Sequence, residues 1–382
     1  MMARYDEHGP TALMGPSMRV LCMTEKWESG GIEAFLTTLY EAMDLSDVRL
    51  DLVTCQYEPG IYDERLAALG LKVQVLSGSI KKWRENLAQF NAMLERGRYD
   101  VVHLNLYEGM ALLFAREAKR AGVPKVIVHS HNTDLHPGLL RIPKLLVHRA
   151  CVGLLGGYAD ARWAPSEVAA RFLFGGRPWV QVKNGIQVER FAFDPAARGA
   201  LRSQLGLGEN VLAIGCVGRL CAQKNQSFLL RVLADMPDAV LVLAGEGEDE
   251  RRLRDEAGRL GAIGRVRFCG ALPDVAPLYS ALDVLAMPSL FEGLGIVAVE
   301  AQAAGLPVVA SPAVPPEARV VEGLFEVVPL EEEAWGAHFA AARVCAAQRT
   351  SCLFVEDVCR QGYAVGRTAI FVKDVYEQLD GI

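Results

Sequence analysis

Two series of short apolar runs, each run followed by an amphipathic stretch, constrain this chain more than any other feature. In the first series "MRVLCMTE", "VRLDLVTCQ", "KVQVLS", "DVVHLNL", "KVIVHSH" and "ARWAPS" alternate with helical patterns such as "KKWRENLAQFNAMLERG". In the second, "VLAIGCVGR", "AVLVLAGEG", "VRFCGAL", "DVLAMPS", "PVVAS" and "LFEVVPL" do the same. Runs this short and this apolar read as buried strands, and strand–helix alternation points to a parallel sheet wrapped by helices. Between the series, residues 183–210 are polar and rich in turn signals, with Asn184-Gly185 and Asp194-Pro195 among them. The pattern predicts an α/β chain of two doubly wound domains. The expected division is residues 1–190, completed by an amphipathic C-terminal helix within 363–382, and residues 191–362. A length of 382 residues suits about two domains.

Composition narrows the class. The chain is 51% hydrophobic and 23% charged, with no run of about 20 uncharged apolar residues that could cross a bilayer. The opening "MMARYDEHGPTALMGPSM" lacks the apolar centre of a signal peptide, and the nine cysteines include no CxxC pair. Both features predict a cytoplasmic protein with reduced thiols. Net charge is −6, divided as +2 over residues 1–190 and −8 over the remainder, which gives no support to nucleic-acid binding. One segment, "LLRIPKLLVHRACVGLL", mixes Leu139, Leu140, Leu145 and Leu146 with Arg141, Lys144 and Arg149. As a helix it could rest on an anionic bilayer, or it could be a core helix with a solvated basic edge.

In open parallel sheets ligands bind outside the carboxyl ends of the strands, so the loops after them are the candidates. Two facing sheets would gather those loops into one interdomain cleft. Arg219, just past a strand, and Lys224 suit a diphosphate, although two solvated cations are the simpler alternative. Gly30 and Gly31 open a helix start where a phosphate can approach the backbone; a tight turn explains them equally well. Glu246, between Gly245 and Gly247, could close over a nucleotide or simply begin an acidic helix. In "SLFEGLGIVAVEAQAAG", Gly293, Leu294, Gly295 and Ile296 put backbone N–H groups at the head of an apolar helix. Glu292 precedes that helix and Glu300 lies within it; a buried carboxylate there needs a partner or a ligand. One could accept from sugar hydroxyls and the other from a ribose diol. His129 and His131 alternate onto one side of a strand end, with His129 the expected satisfied core histidine and His131 the cleft candidate. No third metal ligand accompanies them.

Taken together, "GGIE", "HSHNT", "WAPSEVAARFLFG", "VKNGI", "VGRLCAQKNQ", "AGEGEDE" and "SLFEGLGIVAVEAQAAGLPVVAS" resemble the group 1 glycosyltransferases. These are the retaining family 4 enzymes of GT-B fold, with two facing Rossmann-like domains, and the likeness is greatest to bacterial capsule and exopolysaccharide members. It runs from about Met18 to Ser311; residues 318–362 depart from the family pattern. The resemblance implies that Glu292 and Glu300 form the E-x7-E motif that holds the donor sugar and ribose. It implies that Arg219 and Lys224 meet the diphosphate, that Gly30 and Gly31 lie against it, and that His131 sits beside the transferred sugar. The implied activity is retaining transfer from a nucleotide-diphosphate sugar, most commonly a UDP-sugar, to a glycan or lipid-linked acceptor. No metal or other cofactor is implied, and the expected location is the cytoplasm, with peripheral contact at the inner face of the plasma membrane. Two alternatives remain: a sugar-nucleotide epimerase of the same fold, for which no acid/base set is identified, and a non-catalytic donor-binding subunit. A dinucleotide dehydrogenase fits less well, since no GxGxxG follows the first strand of either series.

Overall fold

A computed structural model describes residues 18–135, 141–208, 210–346, 349 and 353–378. The opening segment before Met18 and the pair Leu139 and Leu140 therefore lie outside the described residues. The first sheet contains β1 (Met18–Trp27), β2 (Val48–Tyr57), β3 (Val73–Val75), β4 (Val101–Leu106), β5 (Lys125–Ser130), β6 (Ala161–Ala164) and β7 (Val180–Gln181). Its order is β3-β2-β1-β4-β5-β6-β7. The second contains β8 (Leu212–Val217), β9 (Ala239–Ala244), β10 (Val266–Phe268), β11 (Val284–Met287), β12 (Val308–Ala310) and β13 (Phe325–Val327). Its order is β10-β9-β8-β11-β12-β13, and all strand pairs in both sheets are parallel.

Every apolar run of the two series is a strand; the central strands β4, β5, β9 and β11 are buried throughout because helices cover both faces of the sheet there. The chain order reverses between β1 and β4 in one sheet and between β8 and β11 in the other. These switch points open crevices at the strand ends where ligands of such sheets bind.

Three local features differ from the sequence reading. Val180–Gln181 adds a seventh edge strand, too short and too exposed to show as an apolar run. The Asp194-Pro195 pair, read as a turn, starts a helix over Pro195–Gln204: the Asp194 side chain accepts from the amides of Ala196 and Ala197, and proline fits the first helical turn. The irregular stretch 318–362 holds two helices, Glu332–Ala346 and Leu353–Arg360, with Trp335 fully buried edge-on to Phe228.

The final helix, Val365–Glu377, packs against the first-sheet helix Gly31–Ala42. The Tyr376 hydroxyl lies 2.7 Å from His103 Nδ1, and Lys125 Nζ donates to the Val375 carbonyl at 2.7 Å. The connecting segment passes close beneath this helix. A Cβ on Gly185 would come 2.6 Å from the Val365 Cα, so the crossing requires glycine.

Candidate active site

The loops after β5 and β6 of the first sheet meet the loop after β11 of the second across the interdomain cleft. Ser166 Oγ donates to the Gly293 carbonyl at 2.6 Å and Thr133 Oγ1 to the Glu292 carbonyl at 3.1 Å. A Cβ on Gly293 would lie 2.1 Å from the His131 carbonyl, so glycine is what lets the two domains approach here. His131 and the Glu292 loop, 161 residues apart in sequence, are thereby brought together.

Lys224 and Glu292 form one unit. Lys224 Nζ donates to Glu292 Oε1 at 2.6 Å, and Ser289 Oγ donates to the same oxygen at 2.7 Å. The Glu292 side chain is 7% exposed and that of Lys224 18%, so the pair is largely desolvated. Burial pulls the Lys224 pKa down, but the Glu292 charge and hydrogen bond outweigh it and the result is raised. The sequence assigns Lys224 to a diphosphate; the structure adds that its charge is balanced by the first acid of the motif.

Arg219 reaches across the cleft. Its Nη1 donates to both oxygens of Glu28, at 2.6 and 2.8 Å, and its Nε donates to Glu248 at 3.0 Å. Glu28 also pairs with Lys26 and stands two residues before Gly30, the N-cap of the helix Gly31–Ala42. A Cβ on Gly31 would meet nothing within 4 Å, so that helix start is open to approach. Arg219 and the Gly30–Gly31 turn thus belong to one neighbourhood, through a carboxylate the sequence reading did not single out. Behind the turn, Glu33 is buried with Oε1 unpaired, and desolvation pushes its pKa up to about 8.

Glu300 lies on the helix Ile296–Ala303 and accepts from the Tyr279 hydroxyl at 2.6 Å. Burial raises its pKa to about 7, against the opposing pull of Tyr279 and Arg190. It lines a cavity of about 70 Å³ shared by both halves of the chain, with Thr38, Tyr62 and Arg65 on one side and Leu272, Ile296 and Glu300 on the other. Gly295 caps the helix with φ +82, a conformation in which a Cβ would also meet Met287 at 2.6 Å. The Leu294 side chain points into the second domain's core, leaving only its backbone for a ligand. Glu246 is exposed at the rim, its carboxylate 3.5 Å from the Ala271 amide. The glycines around it serve loop packing, since a Cβ on Gly245 would lie 2.1 Å from the Gly218 carbonyl.

The His131 and His129 rings lie 4.1 Å apart, centroid to centroid, tilted by 37°. His131 Nε2 lies 2.9 Å from Asn105 Oδ1. Desolvation, with the charge of His103 behind it, lowers the His131 pKa to about 3, so the ring is neutral. His129 is a core residue as expected, but it is not satisfied: neither ring nitrogen has a hydrogen-bond partner. Among the described residues no group of three His, Cys, Asp or Glu side chains is placed to hold a metal ion.

Of the residues missed by sequence reading, Glu28 carried a faint signal, standing beside the two glycines in "ESGG". Tyr279 and Asn105 carried none; they read as ordinary helix and strand core.

Two facing parallel-sheet domains, with paired carboxylates and cations on the loops between them, form a GT-B architecture. The sequence pattern of the family described as "Glycosyl transferases group 1" matches residues 198–332, and that of "Glycosyl transferase 4-like domain" matches residues 30–203. The chain is 32% identical to the putative glycosyltransferase EpsF of Bacillus subtilis over 377 residues, 94% of this chain and 96% of that one. A GDP-mannose-dependent alpha-(1-6)-phosphatidylinositol monomannoside mannosyltransferase of Mycolicibacterium smegmatis is 32% identical over 214 residues, 50% of this chain and 53% of that one. In fold, Anabaena Alr3699/HepE, solved in complex with UDP-glucose, superposes with a TM-score of 0.75 at 23% identity, covering 94% of this chain and 99% of that one. This chain belongs to the group 1 glycosyltransferase family.

Proposed function

We propose that this glycosyltransferase moves a sugar from a nucleoside diphosphate donor to an acceptor hydroxyl with retention of anomeric configuration, in the assembly of a capsule or exopolysaccharide. The observation that carries this reading is the Lys224–Glu292 pair, buried at the head of a glycine-opened helix and facing the loop of His131. Arg219, Lys224 and the backbone amides around Gly295 are suited to stabilise charge on a departing diphosphate. Glu292 orients the sugar, His131 contacts it, and Glu300, with Tyr279 behind it, receives the ribose diol. Glu246 borders the nucleotide at the rim. A UDP-sugar is the proposed donor, in line with the neighbour solved with UDP-glucose; the GDP-mannose dependence of the half-length relative makes GDP-mannose the control. The pathway assignment leans on the likeness to EpsF.

Side-chain cations in the place of a metal make transfer independent of divalent ions. Turnover of UDP-glucose or GDP-mannose, scored against a glycan and lipid-linked acceptor panel, is expected to survive EDTA undiminished. Loss on EDTA with recovery in Mn²⁺ would show a metal requirement, and donor binding without turnover across the panel would favour a binding subunit. Epimerised donor without transfer would favour the epimerase.

The helix Arg141–Leu155 supports a peripheral membrane contact. It is anchored by His148, which accepts from the Gly109 amide at 2.9 Å and lies 2.9 Å from the Phe172 carbonyl through its other nitrogen. Its outer residues Ile142, Leu146, Val147 and Leu154 are exposed beside Arg141, Lys144 and Arg149. Arg141 pairs with Asp134, three residues beyond His131, so the helix borders the cleft. No helix among the described residues is long and apolar enough to cross a membrane. The protein is expected to sediment with anionic liposomes at low salt and to be released as salt screens the basic residues. No binding at low salt would reject the contact.

A further inference from the structure

Asn105, outside every motif, settles the chemistry of His131. It is fully buried on β4, paired with Thr24 of β1 on one side and His129 of β5 on the other. Its amide nitrogen faces Cys22 Sγ at 3.3 Å and the Met23 carbonyl at 3.5 Å. A main-chain carbonyl can only accept, so that edge of the amide must carry the N–H groups. The opposite edge is then Oδ1, which lies 2.9 Å from His131 Nε2. An amide oxygen also only accepts, so Nε2 must carry the ring proton. In a neutral imidazole the other nitrogen, Nδ1, is then a bare acceptor. Among the described residues Nδ1 makes no hydrogen bond, yet it is not sealed off as both nitrogens of His129 are.

We infer that Asn105 is a positioning residue for sugar transfer: it holds His131 as the Nε2–H tautomer, so that Nδ1 accepts a hydrogen bond from a hydroxyl of the transferred sugar. This rests on the proposed placement of His131 beside the sugar. The order of command runs from the β1 backbone, through the Asn105 amide, to the imidazole. The groups around the ring keep that state. His129 lies 4.1 Å away and Phe35 6.0 Å, centroid to centroid, with His103 beyond His129. On the facing loop the charges of Lys224 and Glu292 are spent on each other. Desolvation then keeps a second proton off the ring at neutral pH. His131 therefore cannot donate to a diphosphate oxygen; it selects for a sugar that presents a hydroxyl proton.

The test uses the full chain with ¹⁵N-labelled histidine, the His131 signal being identified by its loss in His131→Gln. The spectrum should show a neutral ring protonated on Nε2 from pH 5.5 to 8. A ring protonated on Nδ1, or one that titrates in that range, overturns the inference. Asn105→Asp keeps an oxygen against Nε2 but adds a negative charge, which raises the titration midpoint of His131 by about one to three pH units. With UDP-glucose as probe, kcat should gain a matching fall on the acid side that the wild type lacks. A folded Asn105→Asp protein with midpoint and pH profile unmoved contradicts the positioning role. If that variant does not fold, the wild-type spectrum alone decides the tautomer. If no nucleotide sugar is turned over, the proposed function fails, while the tautomer still stands or falls on the spectrum.

Discussion

Lys224→Ala is expected to lower stability by about 3–5 kcal/mol, the cost of leaving a buried carboxylate without its counter-charge. The stranded group is Glu292, whose side chain is 7% exposed and would keep only Ser289 as a donor. Read from the sequence, Lys224 is a phosphate-binding cation whose loss would weaken donor handling alone. The ion pair makes it a structural element of the second domain as well. Urea unfolding, followed through the transition of that domain, measures the loss directly. Adding Glu292→Gln to Lys224→Ala should recover much of it, because neither charge is then left alone. A Lys224→Ala midpoint equal to wild type would contradict the buried pair. Arg219→Ala provides the contrast: Arg219 is 38% exposed, so its interdomain pair with Glu28 contributes about 0–1 kcal/mol. Its loss should instead weaken donor binding roughly ten- to hundredfold, the worth of a charge-assisted hydrogen bond.

Glu292→Gln is expected to reduce kcat/KM by about a hundredfold or more. The amide preserves shape and can still accept from Ser289 and Lys224, but it no longer neutralises Lys224 or grips sugar hydroxyls with a full charge. The loss should fall mainly on kcat, since sugar orientation is an interaction realised most fully in the transition state. Some stability is lost too, because Lys224 is left charged and largely buried, yet less than in Lys224→Ala, where the buried carboxylate loses its counter-charge. Wild-type kinetics in this variant would remove Glu292 from the sugar site.

Much of this architecture was legible because burial on both sheet faces leaves an unmistakable mark. "DVVHLNL" and "AVLVLAGEG" can only be central strands, and the loops after them had to face a cleft. One edge strand was not legible: Val180–Gln181 is two residues long and buries nothing. The Asp194-Pro195 pair carries the same residues as a turn and becomes a helix start only because Asp194 finds two free amides. In the site, residue types pointed to the right loops, but partners could not be read. Whether Arg219 meets Glu28, or Glu300 meets Tyr279, depends on which loops the domain packing brings face to face. His129 illustrates the limit: its core position followed from alternation, whereas its lack of any hydrogen bond follows only from its neighbours on β4 and β6.

Retention is the stereochemical outcome of the proposed function. An inverting enzyme needs a general base aimed at the acceptor hydroxyl, and a double displacement needs a free carboxylate beneath the anomeric carbon. His131 keeps a bare Nδ1, but burial holds its pKa down at about 3, which makes it a weak base, and Glu292 is committed to Lys224 and Ser289. In the proposed mechanism the departing diphosphate takes the acceptor's proton, on the same face from which it leaves. The direct test is the anomeric ¹³C–¹H coupling in the product formed from an α-linked nucleotide sugar. The account predicts an α-linked product; a β-linkage would contradict it.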